Sequence, residues 1–209
     1  MTQLIVALDS PDPWETYQPL HHLVTWFKIG PQRILHPNAK NVIDHARFTG
    51  RKIFLDLKLA DTADTVRETV HWCEKYGVTA ISTFTGAATR AALDAGTNVA
   101  VWQVHGLTDD PTPRELIWVP GVICSSTLVP DYVALRKALS PTSRLPYPID
   151  IVTPAVRLNG EETHGHSPEL VATPAWAKAQ GATHVVVGRP IWQSASPVEA
   201  AVHYLEALA

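Results

Sequence analysis

Short β-branched runs alternate with amphipathic segments along this whole chain, and that alternation constrains the fold more than any other feature. The runs are Leu4 to Leu8, Thr25 to Ile29, Lys52 to Leu57, Val78 to Phe84, Asn98 to Val104, Gly121 to Cys124, Asp150 to Thr153 and His184 to Val187. Helix-like stretches lie between them, among them Thr62 to Tyr76, Thr127 to Leu139 and Pro168 to Gln180, with a short one at Arg114 to Trp118. Pro31 is placed to open one helix, Gly77 to close another, and Pro174 falls in a first-turn or kink position. Alternating strands and helices imply a parallel sheet, and eight such units imply a closed (β/α)8 TIM barrel of the α/β class. At 209 residues the chain is near the lower limit for that fold. No linker or low-complexity segment interrupts it, so residues 1–209 read as a single domain.

Composition removes several classes of function. The net charge of −3 shows no basic excess, which argues against a nucleic-acid partner. Only Cys73 and Cys124 occur, without paired spacing, so neither a disulfide framework nor a zinc site is indicated. No apolar run approaches the roughly 18 residues needed to cross a bilayer. The N-terminus enters a strand at once, without a basic region or signal-type apolar core, so a cytoplasmic protein is expected. Pro141 to Pro148 and His164-Gly165-His166 read as surface loops, and the His21-His22 pair receives no role.

The chemistry gathers at strand ends, where this fold keeps its reactive groups. In Phe54-Leu55-Asp56-Leu57-Lys58-Leu59-Ala60-Asp61, strand alternation puts Phe54, Asp56 and Lys58 on one face and Ile53, Leu55, Leu57 and Leu59 on the other. A buried carboxylate and ammonium are costly unless they pair or react. Asp61, just beyond, brings a second carboxylate within reach of the same ammonium. Asp9 ends the first run, Lys28 lies near the end of the second, and Ser125 follows the sixth. Charges from the first three strands would converge on one small volume. After the eighth run, Gly188 allows close backbone approach, and Arg189 offers a planar fork suited to phosphate. The loops after strands seven and eight are the usual phosphate site of such barrels, so a phosphorylated small molecule is the expected substrate.

These residues resemble the orotidine 5′-phosphate decarboxylase superfamily. Asp56-Leu57-Lys58-Leu59-Ala60-Asp61 matches its Asp-x-Lys-x-x-Asp motif. Ala7-Leu8-Asp9, Phe27-Lys28-Ile29-Gly30, Cys124-Ser125, Val152-Thr153-Pro154 and Val187-Gly188-Arg189-Pro190-Ile191 follow the family's order and spacing. The resemblance implies a metal-free, cofactor-free decarboxylase that converts orotidine 5′-phosphate to UMP and CO2 in pyrimidine biosynthesis. Related Mg²⁺-dependent phospho-sugar enzymes carry Glu where this chain has Lys28. In the roles it implies, Asp9 and Lys28 bind the ribose hydroxyls, Asp56 sits beside the reacting carboxylate, and Lys58 protonates the pyrimidine C6. Ser125 bonds the pyrimidine, and Gly188 and Arg189 hold the phosphate. Asp61 and Thr65 reach into the site of the other subunit of a homodimer.

Three segments depart from the family pattern. Pro154-Ala155-Val156-Arg157 replaces Pro-Gly-Ile-Arg, and Ser82-Thr83-Phe84-Thr85-Gly86 replaces a His-containing segment. Ser167 and Pro168 stand where an Asp-Gln pair would supply a phosphate-binding Gln, leaving His164, His166 and Ser167 as candidate substitutes. The polar loop from Arg157 to Ser167, with Gly160 and Gly165 as hinges, is expected to close over the phosphate. Two other readings share these residues: a Mg²⁺-dependent phospho-sugar decarboxylase or aldolase, and a catalytically decayed paralogue that binds a nucleotide.

Overall fold

The computed structural model describes residues 1–105, 119–139, 149–163 and 170–209. Eight parallel strands close a barrel in sequential order, β1 to β8, with β8 pairing back onto β1. They are Gln3–Ala7, Trp26–Ile29, Lys52–Leu59, Ala80–Thr83, Ala100–Val104, Gly121–Ile123, Asp150–Thr153 and His184–Val187. The helices among the described residues are α1 (Pro13–Leu20), α2 (Pro37–Thr49), α3 (Ala63–Tyr76), α4 (Gly86–Asp94), α5 (Val129–Leu139), α6 (Pro174–Gln180), α7 (Arg189–Trp192) and α8 (Pro197–Leu208). None of the described helices is long and apolar enough to cross a membrane. The short helix expected at Arg114 to Trp118, the Pro141 to Pro148 connection and the His164-Gly165-His166 loop fall outside the described residues.

Strand parity divides the core in two. Leu4, Val6 and Leu8 of the β1 segment, with Phe27, Ile53, Leu55 and Ile81, pack outward against the helices. Ile5, Trp26, Phe54, Trp102, Val152 and Val186 fill the barrel interior. Leu57 and Leu59 pack on the outer cluster, as alternation requires. Each face of a central parallel strand is therefore apolar for a different reason, which is why these runs read as nearly continuous hydrophobic segments.

Three boundaries differ from expectation. Residues after Pro31 form turns closed by the Arg33 and Ile34 N–H groups on the Gly30 carbonyl, and the helix starts only at Pro37 under a His36 cap. The stretch expected to be helical from Pro168 starts at Pro174, because Ala172 bridges Val156 in extended form and Thr173 caps the helix. In place of one helix from Thr127, a 3-10 turn over Ser126–Leu128 leads into α5. Proline at the first helical position explains both late starts: its fixed φ suits that position, and it lacks the N–H that an earlier turn would need.

The end of the barrel remote from the strand carboxyl termini is closed by aromatic and polar groups. Trp26 and Trp102 pack on the His184 ring with centroids 5.2 and 5.3 Å away. The Trp102 indole N–H donates to Asp150 at 3.2 Å, and that of Trp26 donates to Gln3 at 3.0 Å. Trp102 lies so close to β6 that a Cβ on Gly121 would come within 2.3 Å of its ring, so only glycine fits there. Burial, aided by the charge of Lys52, pushes His184 down to about 4.

That depression has a definite sign. Native His184 stays neutral while the unfolded chain, with an ordinary imidazole, takes up a proton, so stability falls as pH drops through this window. Between pH 7 and pH 5 the loss amounts to about 2 kcal/mol from this group. Urea unfolding at the two pH values is expected to show it, and His184→Gln is expected to flatten the difference. An unchanged pH slope in that variant would assign the loss to other groups.

Candidate active site

Register brings the strand-end charges together. Ala7 of β1 lies opposite Lys28 of β2, and Lys28 lies opposite Phe54 of β3, so Asp9, Lys28 and Asp56 step around the inner rim. The Lys28 ammonium stands 3.6 Å from Asp9 and 3.5 Å from Asp56. Lys58 pairs with the same Asp56 oxygen at 2.8 Å. The result is a row of alternating charge, Asp9–Lys28–Asp56–Lys58. The side chains of Lys28 and Asp56 are each only 13% exposed, against 35% for Lys58. Gly30 leaves room for the row, since a Cβ there would lie 3.3 Å from the Lys28 nitrogen.

Burial alone would push the Asp56 carboxyl upward. The ammoniums of Lys28 and Lys58, with hydrogen bonds from Lys58 and Ser82, outweigh it and hold the group below the ordinary carboxylate value. Lys58 has a left-handed backbone, φ +50°, where the β3–β4 register shifts between Leu55 and Leu59. The β3–β4 ladder is thus irregular along the Asp56-Leu57-Lys58 stretch. Asp56 and Lys58 still share the cavity face with Phe54, as predicted, while Leu57 and Leu59 pack outward.

Asp61 does not join this row. Its side chain is exposed, it accepts the Thr62 N–H at 2.7 Å, and among the described residues it pairs with no ammonium of its own chain. The expectation that it reaches the Lys58 ammonium within one chain is therefore corrected: the chain turns outward into α3 immediately after β3. Thr65 is exposed on the first turn of α3, its hydroxyl 2.9 Å from that of Thr62. Ser125 is buried beyond β6, with its hydroxyl 2.7 Å from Thr127.

The row lines one wall of a cavity of about 280 Å³ at the carboxyl ends of the strands. Phe54, Val104, Ile123 and Val186 make its apolar floor, and Arg157, Gly188 and Arg189 stand on the β7–β8 side. Gly188 lets β8 approach β1, since a Cβ there would meet Ala7 at 3.4 Å and Asp9 at 3.6 Å. Arg157 was not singled out from the sequence, although it ends the quoted Pro154–Arg157 run. It is 4% exposed, its Nη1 donates to the Val156 carbonyl at 2.8 Å, and its Nε has no partner among the described residues. Burial lowers its pKa, Tyr204 opposes the shift, and the neighbouring Arg189 adds to it. Two guanidiniums held near each other in a cavity form a receptor for a multiply charged anion. Ala155, also in the wall, has φ +58°, a conformation that costs a non-glycine residue roughly 1–2 kcal/mol. Of the loop expected to close over the phosphate, residues 157–163 are described, while Ser167 and Pro168 fall outside.

Comparison with known proteins identifies the family of the chain. The family model described as "Orotidine 5'-phosphate decarboxylase / HUMPS family" matches residues 2–108 and 74–204. Orotidine 5′-phosphate decarboxylase of Methylorubrum extorquens is 31% identical, over 93% of this chain and 90% of the relative. That of Bacillus pumilus is 27% identical over 94% of each. Among solved structures, the decarboxylases of Lactobacillus acidophilus and Pyrococcus horikoshii superpose with TM-scores of 0.71 and 0.73 at 24% and 21% identity. The first alignment covers 100% of this chain and 99% of the other; the second covers 98% of each. The two structures carry the barrel, the sequence matches carry the ancestry, and the chain belongs to the orotidine 5′-phosphate decarboxylase / HUMPS family.

Proposed function

We propose that this chain is an orotidine 5′-phosphate decarboxylase, releasing CO2 and UMP by a reaction that its own side chains carry. The observation that supports this most is the Asp9–Lys28–Asp56–Lys58 row facing the Arg157–Arg189 pair across one cavity. Loss of CO2 leaves an electron pair on a ring carbon. A preorganised ammonium beside that carbon stabilises the charge as it develops and then delivers a proton. Lys58 takes that role, with Asp56 holding its ammonium at 2.8 Å beside the departing carboxylate. Asp9 and Lys28 bind the ribose hydroxyls, Ser125 the pyrimidine, and Gly188, Arg189 and Arg157 the phosphate. Binding energy gathered at the phosphate then assists a reaction at the base.

Asp61 and Thr65 lie outside their own cavity and are exposed, which supports a role in the site of a second copy. On this reading the enzyme is a homodimer with shared sites. The same reading makes it a cytoplasmic enzyme of pyrimidine biosynthesis. It routes no step through a metal or cofactor.

Three measurements test these assignments. Added orotidine 5′-phosphate is expected to lose its absorbance with and without EDTA, and Lys58→Ala is expected to slow this by about 10²-fold or more while keeping the fold. A variant retaining over roughly a tenth of the rate would remove Lys58 as proton donor.

Mixing inactive Lys58→Ala with inactive Asp61→Ala is expected to restore activity, because a mixed dimer contains one site with neither defect. Random exchange makes about a quarter of all sites intact. No recovery after demonstrated exchange would show that Asp61 serves its own chain.

Arg189→Ala is expected to lower kcat/KM on the nucleotide by on the order of 10²-fold, the loss of a charge-assisted bond. Turnover of the unphosphorylated nucleoside is expected to change little. Equal losses on both substrates would make Arg189 a structural residue.

A further inference from the structure

Ser82 is fully buried on β4, at a position the sequence marks only by its departure from the family's His-containing segment. It faces into the barrel beside Ala80, on the same parity. Among the described residues its hydroxyl makes two bonds, both to the Asp56-Leu57-Lys58 motif. It accepts the Lys58 backbone N–H at 2.8 Å and donates to Asp56 Oδ1 at 2.8 Å. The direction is fixed by counting protons: a serine hydroxyl has one hydrogen, an amide N–H can only donate, and an ionised carboxylate can only accept. The relay therefore runs from the Lys58 amide through Ser82 to the Asp56 carboxylate.

Each bond answers a local need. Where β3 shifts register against β4 and Lys58 turns left-handed, its N–H leaves the regular ladder and needs another acceptor. Ser82 supplies one from the neighbouring strand. At Asp56, one oxygen already faces both ammoniums, Lys58 at 2.8 Å and Lys28 at 3.5 Å. Ser82 takes the other oxygen, so the carboxylate is held from both sides and cannot rotate freely. Among the described residues, the charged groups facing Asp56 are Lys28 from β2 and Lys58 from its own strand, with Asp9 beyond Lys28.

We propose that Ser82 is a positioning residue for the decarboxylation, fixing through one hydroxyl both the bulged backbone of Lys58 and the carboxylate that aims its ammonium. Ser82 touches the reaction only through those two residues. A misplaced reacting group can cost a factor of 10² without any loss of binding. The proposal rests on the decarboxylase reading, and the tests separate the two.

Turnover of orotidine 5′-phosphate by the unaltered protein tests the reading. Ser82→Ala, compared with it, tests the positioning role. The variant is expected to lose about 10- to 100-fold in kcat while KM and UMP affinity stay within about threefold. The acid limb of its kcat–pH profile is expected to move to higher pH, because Asp56 loses a bond that favours its ionised form. The Asp56 titration, followed by NMR in the ligand-free protein, is expected to move the same way and needs no substrate. A kcat within twofold of the unaltered enzyme would overturn the proposal, as would a loss confined to KM, or an Asp56 titration that does not move.

Should Ser82→Ala fail to fold, Ser82→Thr and Ser82→Val decide the matter, since they match in volume and differ only in the hydroxyl. A threonine variant at least about tenfold faster than the valine variant supports the relay, and equal rates overturn it.

Discussion

Asp56 sits where a carboxylate is expensive to keep, and much of the barrel mouth is arranged to keep it ionised. Desolvation of an ion costs several kcal/mol unless partners of good geometry compensate. Here the compensation comes from three strands: Lys28 from β2, Lys58 from β3 itself and Ser82 from β4. Removing any one partner exposes the cost borne by the others. The row of alternating charge is for this reason a single unit, with energies that do not divide among its members.

The barrel supports that unit by being different at its two ends. At one end Trp26, Trp102 and His184 fill the interior with rings, with Gly121 giving up its side chain to admit Trp102. At the other end, above Phe54, Val104, Ile123 and Val186, the inward positions become charged. The apolar floor limits water beneath the ion row, and the packing below holds the strands that carry it. Closure makes this possible, because strands distant in sequence present neighbouring side chains at one rim.

Among the described residues two non-glycine residues have positive φ, Lys58 and Ala155, and both line the cavity. Such backbone persists only where its surroundings over-determine it. For Lys58 the restraint is visible, in the Ser82 hydroxyl that takes its N–H. For Ala155 it comes from the extended bridge of Val156 to Ala172 just beyond, with Arg157 bonded back to the Ala172 carbonyl through its N–H. The Lys58 side and the Arg157–Arg189 side of the cavity thus each hold one strained residue.

Much of this was legible in the chain itself. Parity of two along eight runs yields the barrel, the two cores and the inward direction of Asp9, Lys28, Asp56 and Gly188, because side-chain direction on a strand is a local property. Proline and glycine mark helix ends equally locally, although Pro31 misled where Pro37 was the true start. The remaining features depend on which strand lies beside which. Ser82 is an ordinary strand serine until β4 pairs with β3 across a register shift. Arg157 is one of several loop arginines until the β7 and β8 ends bring it near Arg189. Asp61 stands three residues from Lys58 in the chain, yet the turn into α3 carries it out of the cavity. Residue types and their parity therefore set the chemistry available at the rim, whereas register and closure decided which groups meet, since contact between distant segments has no local signature.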